Sequence, residues 1–266
     1  MNKPKAGGAA GGAARARGPR RAVGPNIGLI AVAGDEAITL EMRQLLGARQ
    51  AKLYVAHVPA LEENGPATAN GAAGDIASAA KWLALGQPLS AIAYAGTLTT
   101  ITIGEERVAR PLADARPGTP WTTPVTAALA GLEQLAARRI VLLSPYTIAS
   151  HRILAAYIRG RGIEIVDDAC LDVGDDGRAA SLPESVLRAR LMDLRWAEAQ
   201  AILICGTSLR AGSMIDKLEI ATGLPVVAAG QALAWHCLRL AGEQRPAPGF
   251  GRLMQLPGPL ADVNQA

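Results

Sequence analysis

Aromatic residues are scarce in this chain: four Trp, four Tyr and one Phe among 266 residues. A module that reads nucleic acid by stacking bases on aromatic platforms is therefore not expected. Cysteine is scarce as well, three in all and with no CxxC pair. That count argues against a disulfide frame and for a reducing compartment, so the cytoplasm is the expected location. No apolar run approaches the roughly 20 residues that a membrane span needs. The apolar stretch IGLIAVAG at 27–34 is too short for a secretory signal and reads better as a first strand. Neither GxGxxG nor GxxxxGK[ST] occurs, which leaves no nucleotide fingerprint. His57, His151 and His236 lack metal spacing such as HExxH, and Asp167, Asp168 and the Asp172–Asp176 stretch lack the EF-hand pattern. No metal site and no cofactor are expected, and the acidic stretch reads as a solvated strand end and turn.

The formal charge of +4 invites a nucleic-acid reading, but its distribution does not. Lys3, Lys5, Arg15, Arg17, Arg20 and Arg21 all lie in residues 1–26, which contain no acid. Without those six, 21 basic residues face 23 acidic ones. The basicity belongs to a Gly/Ala/Arg stretch too poor in large apolar groups to fold alone. Neither nucleic acid nor membrane is an expected partner.

What the chain has is Ala, Val, Ile and Leu in alternating patterns. Short β-branched runs alternate with Ala/Leu-rich amphipathic stretches, the mark of parallel sheets with helical crossovers. Strands are expected at 27–33, 52–57, 91–95, 121–123, 139–144, 163–168, 201–205 and 225–228. Helices are expected at 36–46, 76–84, 125–135, 148–159, 183–196, 214–221 and 231–240.

An internal repeat organises this pattern. Residues 91–98 (AIAYAGTL) align without gaps on 201–208 (AILICGTS), with a Gly-Thr pair after each strand. Upstream, residues 27–35 (IGLIAVAGD) correspond to 140–147 (IVLLSPYT). The expected fold is α/β with two pseudo-symmetric lobes, each a parallel four-stranded sheet flanked by helices, and a ligand cleft between them. Residues 27–125 plus 229–256 would form one lobe and 126–228 the other. Residues 1–26 would be a disordered basic tail and 257–266 a flexible C-terminus.

Open parallel sheets bind ligands beyond the carboxyl ends of their strands. Gly96-Thr97 and Gly206-Thr207-Ser208 occupy such ends. Glycine permits close backbone approach, and successive N–H groups with Thr and Ser hydroxyls form a donor nest for an oxyanion. Alternatively, each Gly-Thr merely caps a following helix. Tyr146, ending a further strand, can donate its hydroxyl to a carboxylate or an enolate oxygen. Asp35 is either a general base near the cleft or the cap of the helix starting at Glu36. His151 either approaches the cleft from a helix start or is structural, and the structural role is the simpler reading.

From Ile27 to about Leu253 the chain resembles the aspartate/glutamate racemase superfamily. The resemblance is to the branch of maleate cis–trans isomerases, arylmalonate decarboxylases and racemase-like ectoine-utilisation proteins. It rests on IGLIAVAGD, AYAGTLTTITIGEE (93–106), RPGTPWTTPVTAAL (116–129), SPYT (144–147), ICGTSLRA (204–211), GLPVVAAGQALAW (223–235) and GFGRLM (249–254). Asp35 and the IGEE run are closest to the ectoine-utilisation group, since maleate isomerases carry Asn at the Asp35 position. The resemblance implies cofactor-independent chemistry by cysteine thiolates at the two pseudo-symmetric strand ends. It also implies a small carboxylate or dicarboxylate substrate, a place in ectoine or amino-acid breakdown, and a homodimer as an ordinary assembly.

The chain departs from that pattern at both decisive places. Gly96 stands where the first cysteine belongs, as in arylmalonate decarboxylases. The repeat puts Gly206 on the second, with Cys205 one residue early. Strand alternation would turn Cys205 into the core, whereas a bulge would let it reach the ligand. Two-thiol racemisation and isomerisation are disfavoured, and Cys205 is the one candidate catalytic thiol. The expectation is an isomerase, racemase or decarboxylase acting next to a carboxylate. The competing one is a carboxylate-binding protein of the same fold that has lost its thiol chemistry.

Overall fold

The computed structural model of the protein describes residues 24–47, 49–60 and 66–258. The tail through residue 23 and residues 259–266 lie outside the described residues. Strand β1 (Asn26–Val32) leads through α1 (Glu36–Gly47) to β2 (Lys52–Val58), α2 (Pro66–Trp82) and β3 (Ala91–Tyr94). Helices α3 (Thr97–Ile103) and α4 (Glu105–Ala115) precede β4 (Trp121–Thr122) and α5 (Pro124–Gln134). The second half repeats the plan with β5 (Arg139–Ser144), α6 (Ile148–Gly160), β6 (Glu164–Cys170), α7 (Asp176–Ala180), α8 (Glu184–Met192) and β7 (Ala201–Ile204). It ends with α9 (Ile215–Thr222), β8 (Val226–Ala228) and α10 (Ala229–Leu240).

The strands form two parallel four-stranded sheets, ordered β2-β1-β3-β4 and β6-β5-β7-β8. Strand register reproduces the repeat read from the sequence. Ile27 pairs with Ala91 in the first sheet, and Ile140 with Ala201 in the second. The two pairs are what a superposition of 27–35 on 140–147 and of 91–98 on 201–208 requires.

Period-2 alternation gives each sheet two buried faces, as expected when helices cover both sides. Ile27, Leu29, Ala31, Ala91, Ala93 and Ala95 of one sheet share a central core with Ile140, Leu142, Ala201, Leu203 and Cys205 of the other. Helices α1, α5, α6 and α10 fill this core, and Trp235 is its largest fully buried side chain. The two closing helices cross over: α5 follows β4 yet touches β8, and α10 follows β8 yet touches β3 and β4. On the outer faces, Ile30, Ile92 and Tyr94 pack with residues of α2 and α4, and Val141, Leu143, Ile202 and Ile204 with residues of α8 and α9.

Eight strands lie where the patterning places them, but the short helix α7 and three further stretches of helix do not follow from it. Helix α2 begins at Pro66 rather than at residue 76. Helix α3 is TLTTITI, almost wholly β-branched and intrinsically a poor helix former. It forms because α4, α5 and α6 all pack against it. Helix α4 carries Pro111 in its interior, a residue that argues against helix when read alone.

Candidate active site

The carboxyl ends of β1, β3, β5 and β7 converge on a cleft of about 490 Å³ between the two sheets. Its walls include Asp35, Gly96, Thr97, Tyr146 and Thr207, five of the eight residues expected at the site. Gly206, Ser208 and Cys205 do not line it. Ser208 is 1% exposed and its Oγ has no hydrogen-bond partner. A further depression of about 360 Å³ lies beside β2 and α2, away from these strand ends.

Asp35 lines the cleft, and of its two readings the structure bears out the helix cap. One carboxylate oxygen accepts from Ile38 N at 3.2 Å and so caps α1. The other accepts the Thr207 hydroxyl, which ties the loop after β1 to the turn after β7. Burial raises the pKa of Asp35, and the Thr207 bond works against that rise by favouring the charged form. Across the pseudo-two-fold the loop after β5 meets the loop after β3, where Tyr146 faces Thr97. Burial holds the Tyr146 phenol far above its ordinary value, with proximity to Cys205 adding to the effect and the Thr97 hydroxyl opposing it. Thr97 is 4% exposed, lines the cleft, and its Oγ1 makes no hydrogen bond of good geometry.

The helix-cap reading of the two Gly-Thr pairs fails in different ways. Gly96 precedes α3 but supplies no side-chain cap, and Thr97 is already the first helical residue. After Gly206 no α-helix begins until Ile215, and Thr207 is committed to Asp35 instead.

Backbone geometry answers where Cys205 points. Its N–H donates to Leu143 O at 2.9 Å, which extends the β7–β5 ladder by one residue. Strand alternation therefore persists, and the thiol faces the central core with Ala201 and Leu203. The bulge that would have turned it lies elsewhere, in the β5–β6 pairing beside Ile140 and Val141. Ala95 makes the matching bond to Ile30 O at 2.8 Å and does line the cleft. Cys205 is its counterpart beneath Tyr146. It is 1% exposed, and burial pushes its thiol up to about 12.

Neither glycine could carry a side chain here. A Cβ at Gly96 would lie 2.5 Å from the Tyr94 ring and hydroxyl. Gly206 has φ +111°, a conformation L-residues avoid, and its Cβ would lie 2.5 Å from Pro145 Cδ. The expected pair of thiol positions is thus closed by Tyr94 on one side and Pro145 on the other.

The sequence model of the arylmalonate decarboxylase family matches residues 27–254. The chain belongs to the arylmalonate decarboxylase family. It is similar to a maleate isomerase from Nocardia farcinica, 29% identical over 126 residues, 47% of this chain and 50% of that protein. An arylmalonate decarboxylase from Bordetella bronchiseptica is 36% identical over 144 residues, 51% of this chain and 58% of that protein. The chain thus spans about half the length of the curated relatives it matches. In fold it is similar to the crystal structure of the maleate isomerase Iso from Pseudomonas putida S16. That match has TM-score 0.79 at 21% identity and covers 87% of this chain and 98% of that one. Membership of the family and the paired sheets agree with the resemblance read from the sequence.

Other expected groups are structural. His151 is buried, with Nδ1 2.8 Å from Ser144 Oγ and Nε2 3.7 Å from Asp168, on a different depression from the cleft. His236 stacks on Trp235 and bonds Thr122 Oγ1 at 2.8 Å. Glu105, from the IGEE run, binds Arg161 at 2.7 Å and Tyr157, joining α4 to α6. No metal-holding group of His, Cys, Asp and Glu occurs among the described residues. No helix among them is long and apolar enough to cross a membrane.

Three features escaped sequence reading. Asp175 and Asp176, taken for a solvated turn, line the cleft mouth, and nothing in their spacing signals it. Asp175 caps α7 by accepting from Arg178 N at 2.8 Å. The third is Glu41, buried on α1, whose Oε1 accepts from Gly212 N at 2.7 Å in the segment after β7. Its Oε2 has no partner and occupies the place a Cβ at Gly230 would take. Burial pushes the Glu41 carboxyl up to about 7.

Proposed function

We propose that this protein is a cofactor-independent enzyme of one-thiol proton chemistry, acting on the carbon next to the carboxylate of a small acid. The observation that carries this reading is the site's asymmetry. Both paired positions hold glycines with no room for a side chain, and one thiol lies behind the Tyr146 hydroxyl. A thiol held protonated by burial is a poor nucleophile and base, and it keeps its proton for a strongly basic carbanion. Decarboxylation of a malonate-type acid suits it. The C–C bond breaks, CO2 departs, and the electron pair stays on the α-carbon as an enediolate. The Thr97 and Tyr146 hydroxyls would stabilise the enediolate oxygens. Cys205, behind Tyr146 and off the cleft wall, would supply the α-carbon's proton by way of the Tyr146 hydroxyl, which donates its own and takes the thiol's, and water would restore the thiol. A single-thiol isomerisation would need the thiol ionised and in the cleft, and a two-base racemisation would need a second thiol. The relatives' names, maleate isomerase and arylmalonate decarboxylase, support this class of reaction. Three unpaired cysteines support a cytoplasmic setting.

The test is turnover of a panel of aryl- and alkylmalonates, maleate, aspartate, hydantoins and ectoine-pathway intermediates. Product formation and proton incorporation would be followed by NMR. Wild type should convert at least one malonate or maleate-type acid, and Cys205→Ala should lower its kcat by about 10²–10⁴-fold. Full activity in Cys205→Ala would sink the thiol assignment. Binding of carboxylates without turnover would make the protein a carboxylate-binding relative instead.

A further inference from the structure

We propose that Glu41 is a positioning residue for the cleft: with Asp35 it clamps the segment after β7 onto α1, and so fixes the part of the cleft wall that Thr207 forms. The two strand ends that carry Gly-Thr are held in unlike ways. After β3, Thr97 is already the first residue of α3, and Thr100 N donates to Gly96 O at 3.0 Å, so that turn is held by its own helix. After β7 no α-helix begins until Ile215. Residues 207–211 lack that hold, and a segment without a helical ladder opens readily unless other groups tie it. Helix α1 supplies two ties. Asp35, its cap, accepts the Thr207 hydroxyl, and Glu41, further along the same helix, accepts from Gly212 N at 2.7 Å. One carboxyl group thus holds each end of the segment.

The pseudo-symmetric half shows what this position needs for packing alone. Counted from the strand residues Ile27 and Ile140, the same step along the chain reaches Glu41 on α1 and Leu154 on α6. Ile38, Met42 and Leu45 correspond in the same way to His151, Ala155 and Ile158, and all six are buried. A leucine therefore fills this place in the unit, and it does so in the half that faces a strand end held by its own helix. At Glu41 the chain instead buries a carboxyl, which loses its hydration and leaves Oε2 without a hydrogen-bond partner. What the carboxyl adds over leucine is the acceptor for Gly212 N. Arg210, inside the clamped segment, favours the charged form of Glu41, whereas Asp35 disfavours it.

Glu41→Leu and Glu41→Gln separate packing from the tie. Amide hydrogen exchange of the full-length protein is followed by NMR at Gly212, with Leu142 in the core as reference, and malonate affinity is measured by calorimetry. Both are done at about pH 6, where the Glu41 carboxyl is mostly protonated. Glu41→Leu should lower the protection of Gly212 relative to Leu142 by about tenfold and weaken malonate by about fivefold or more. Glu41→Gln, whose amide carbonyl replaces the acceptor, should keep both within about twofold of wild type. Unchanged protection in Glu41→Leu, or equal losses in Glu41→Gln, would overturn the proposal. Lower protection with unchanged affinity would overturn the role at the cleft. A Glu41→Leu chain unable to fold would overturn it as well, since Glu41 would then hold the fold rather than the turn. The affinity measurement rests on the carboxylate reading above, and the exchange measurement does not. Malonate that fails to bind wild type would take down that reading and leave the clamp to be decided at Gly212.

Discussion

Replacing Glu41 with Gln should stabilise the protein at alkaline pH and leave it unchanged in acid. Glu41 is 8% exposed, with one oxygen bonded to Gly212 N and the other against the Gly230 backbone. Burial moves its carboxyl from 4.5 to about 7. In that window the folded chain holds a proton that the unfolded chain has released. Folding stability therefore declines as pH rises from 4.5 through about 7 and levels off above it. The gap between the two values corresponds to about 3 kcal/mol, at 1.36 kcal/mol per pH unit. Gln keeps the shape and the carbonyl oxygen that Gly212 N needs, and it never ionises. Urea melts of wild type and Glu41→Gln at about pH 5, 6, 7 and 8 measure the difference directly. The expected curves differ by less than about 1 kcal/mol near pH 5 and by about 3 kcal/mol near pH 8, with Glu41→Gln the more stable. A difference independent of pH, or a less stable variant at pH 8, would show that the carboxyl is solvated or paired as an anion and would refute the argument.

Two further substitutions probe the strand ends. Gly206→Ala forces an L-residue to φ +111° and drives its Cβ onto Pro145; thermal unfolding should show a loss of about 3 kcal/mol from strain and overpacking together. A neutral effect would mean that the turn after β7 relaxes freely. Thr207→Val removes the hydroxyl that favours the Asp35 anion. It should cost about 1.5–3 kcal/mol above the raised pKa of Asp35, where the lost bond was to a charged group, and less below it, where the carboxyl has taken up its proton. Equal losses at both pH values would mean that Thr207 acts by packing alone.

Much of the architecture is legible in the chain because its signals are local. The near-continuous apolar runs IGLIAV and RIVLLS mark strands buried on both faces, and the Gly-Thr repeat marks two equivalent strand ends. The register pairs Ile27–Ala91 and Ile140–Ala201 answer to the same offsets. Helix α3 was not legible, since its β-branched residues favour strand and only packing by α4, α5 and α6 makes it helical. Asp175 and Asp176 were not legible either. Their place at the cleft depends on where α7 docks against α1, and no local pattern carries that.

By itself the sequence determined that the chain is two copies of one α/β unit, with small donors at the paired strand ends and at most one thiol near them. Local alternation and the repeat suffice for that, because strand period and turn chemistry act over a few residues. Only the tertiary structure decided which way the thiol faces. Cys205 continues the hydrogen-bond ladder of β7 for one more residue, so its side chain enters the core beneath Tyr146 rather than the open cleft. Tyr94 and Pro145 close the two glycine positions, and the acidic wall assembles from α1 and α7, two segments more than 100 residues apart. Such long-range placement comes from packing, and no short stretch of sequence encodes it.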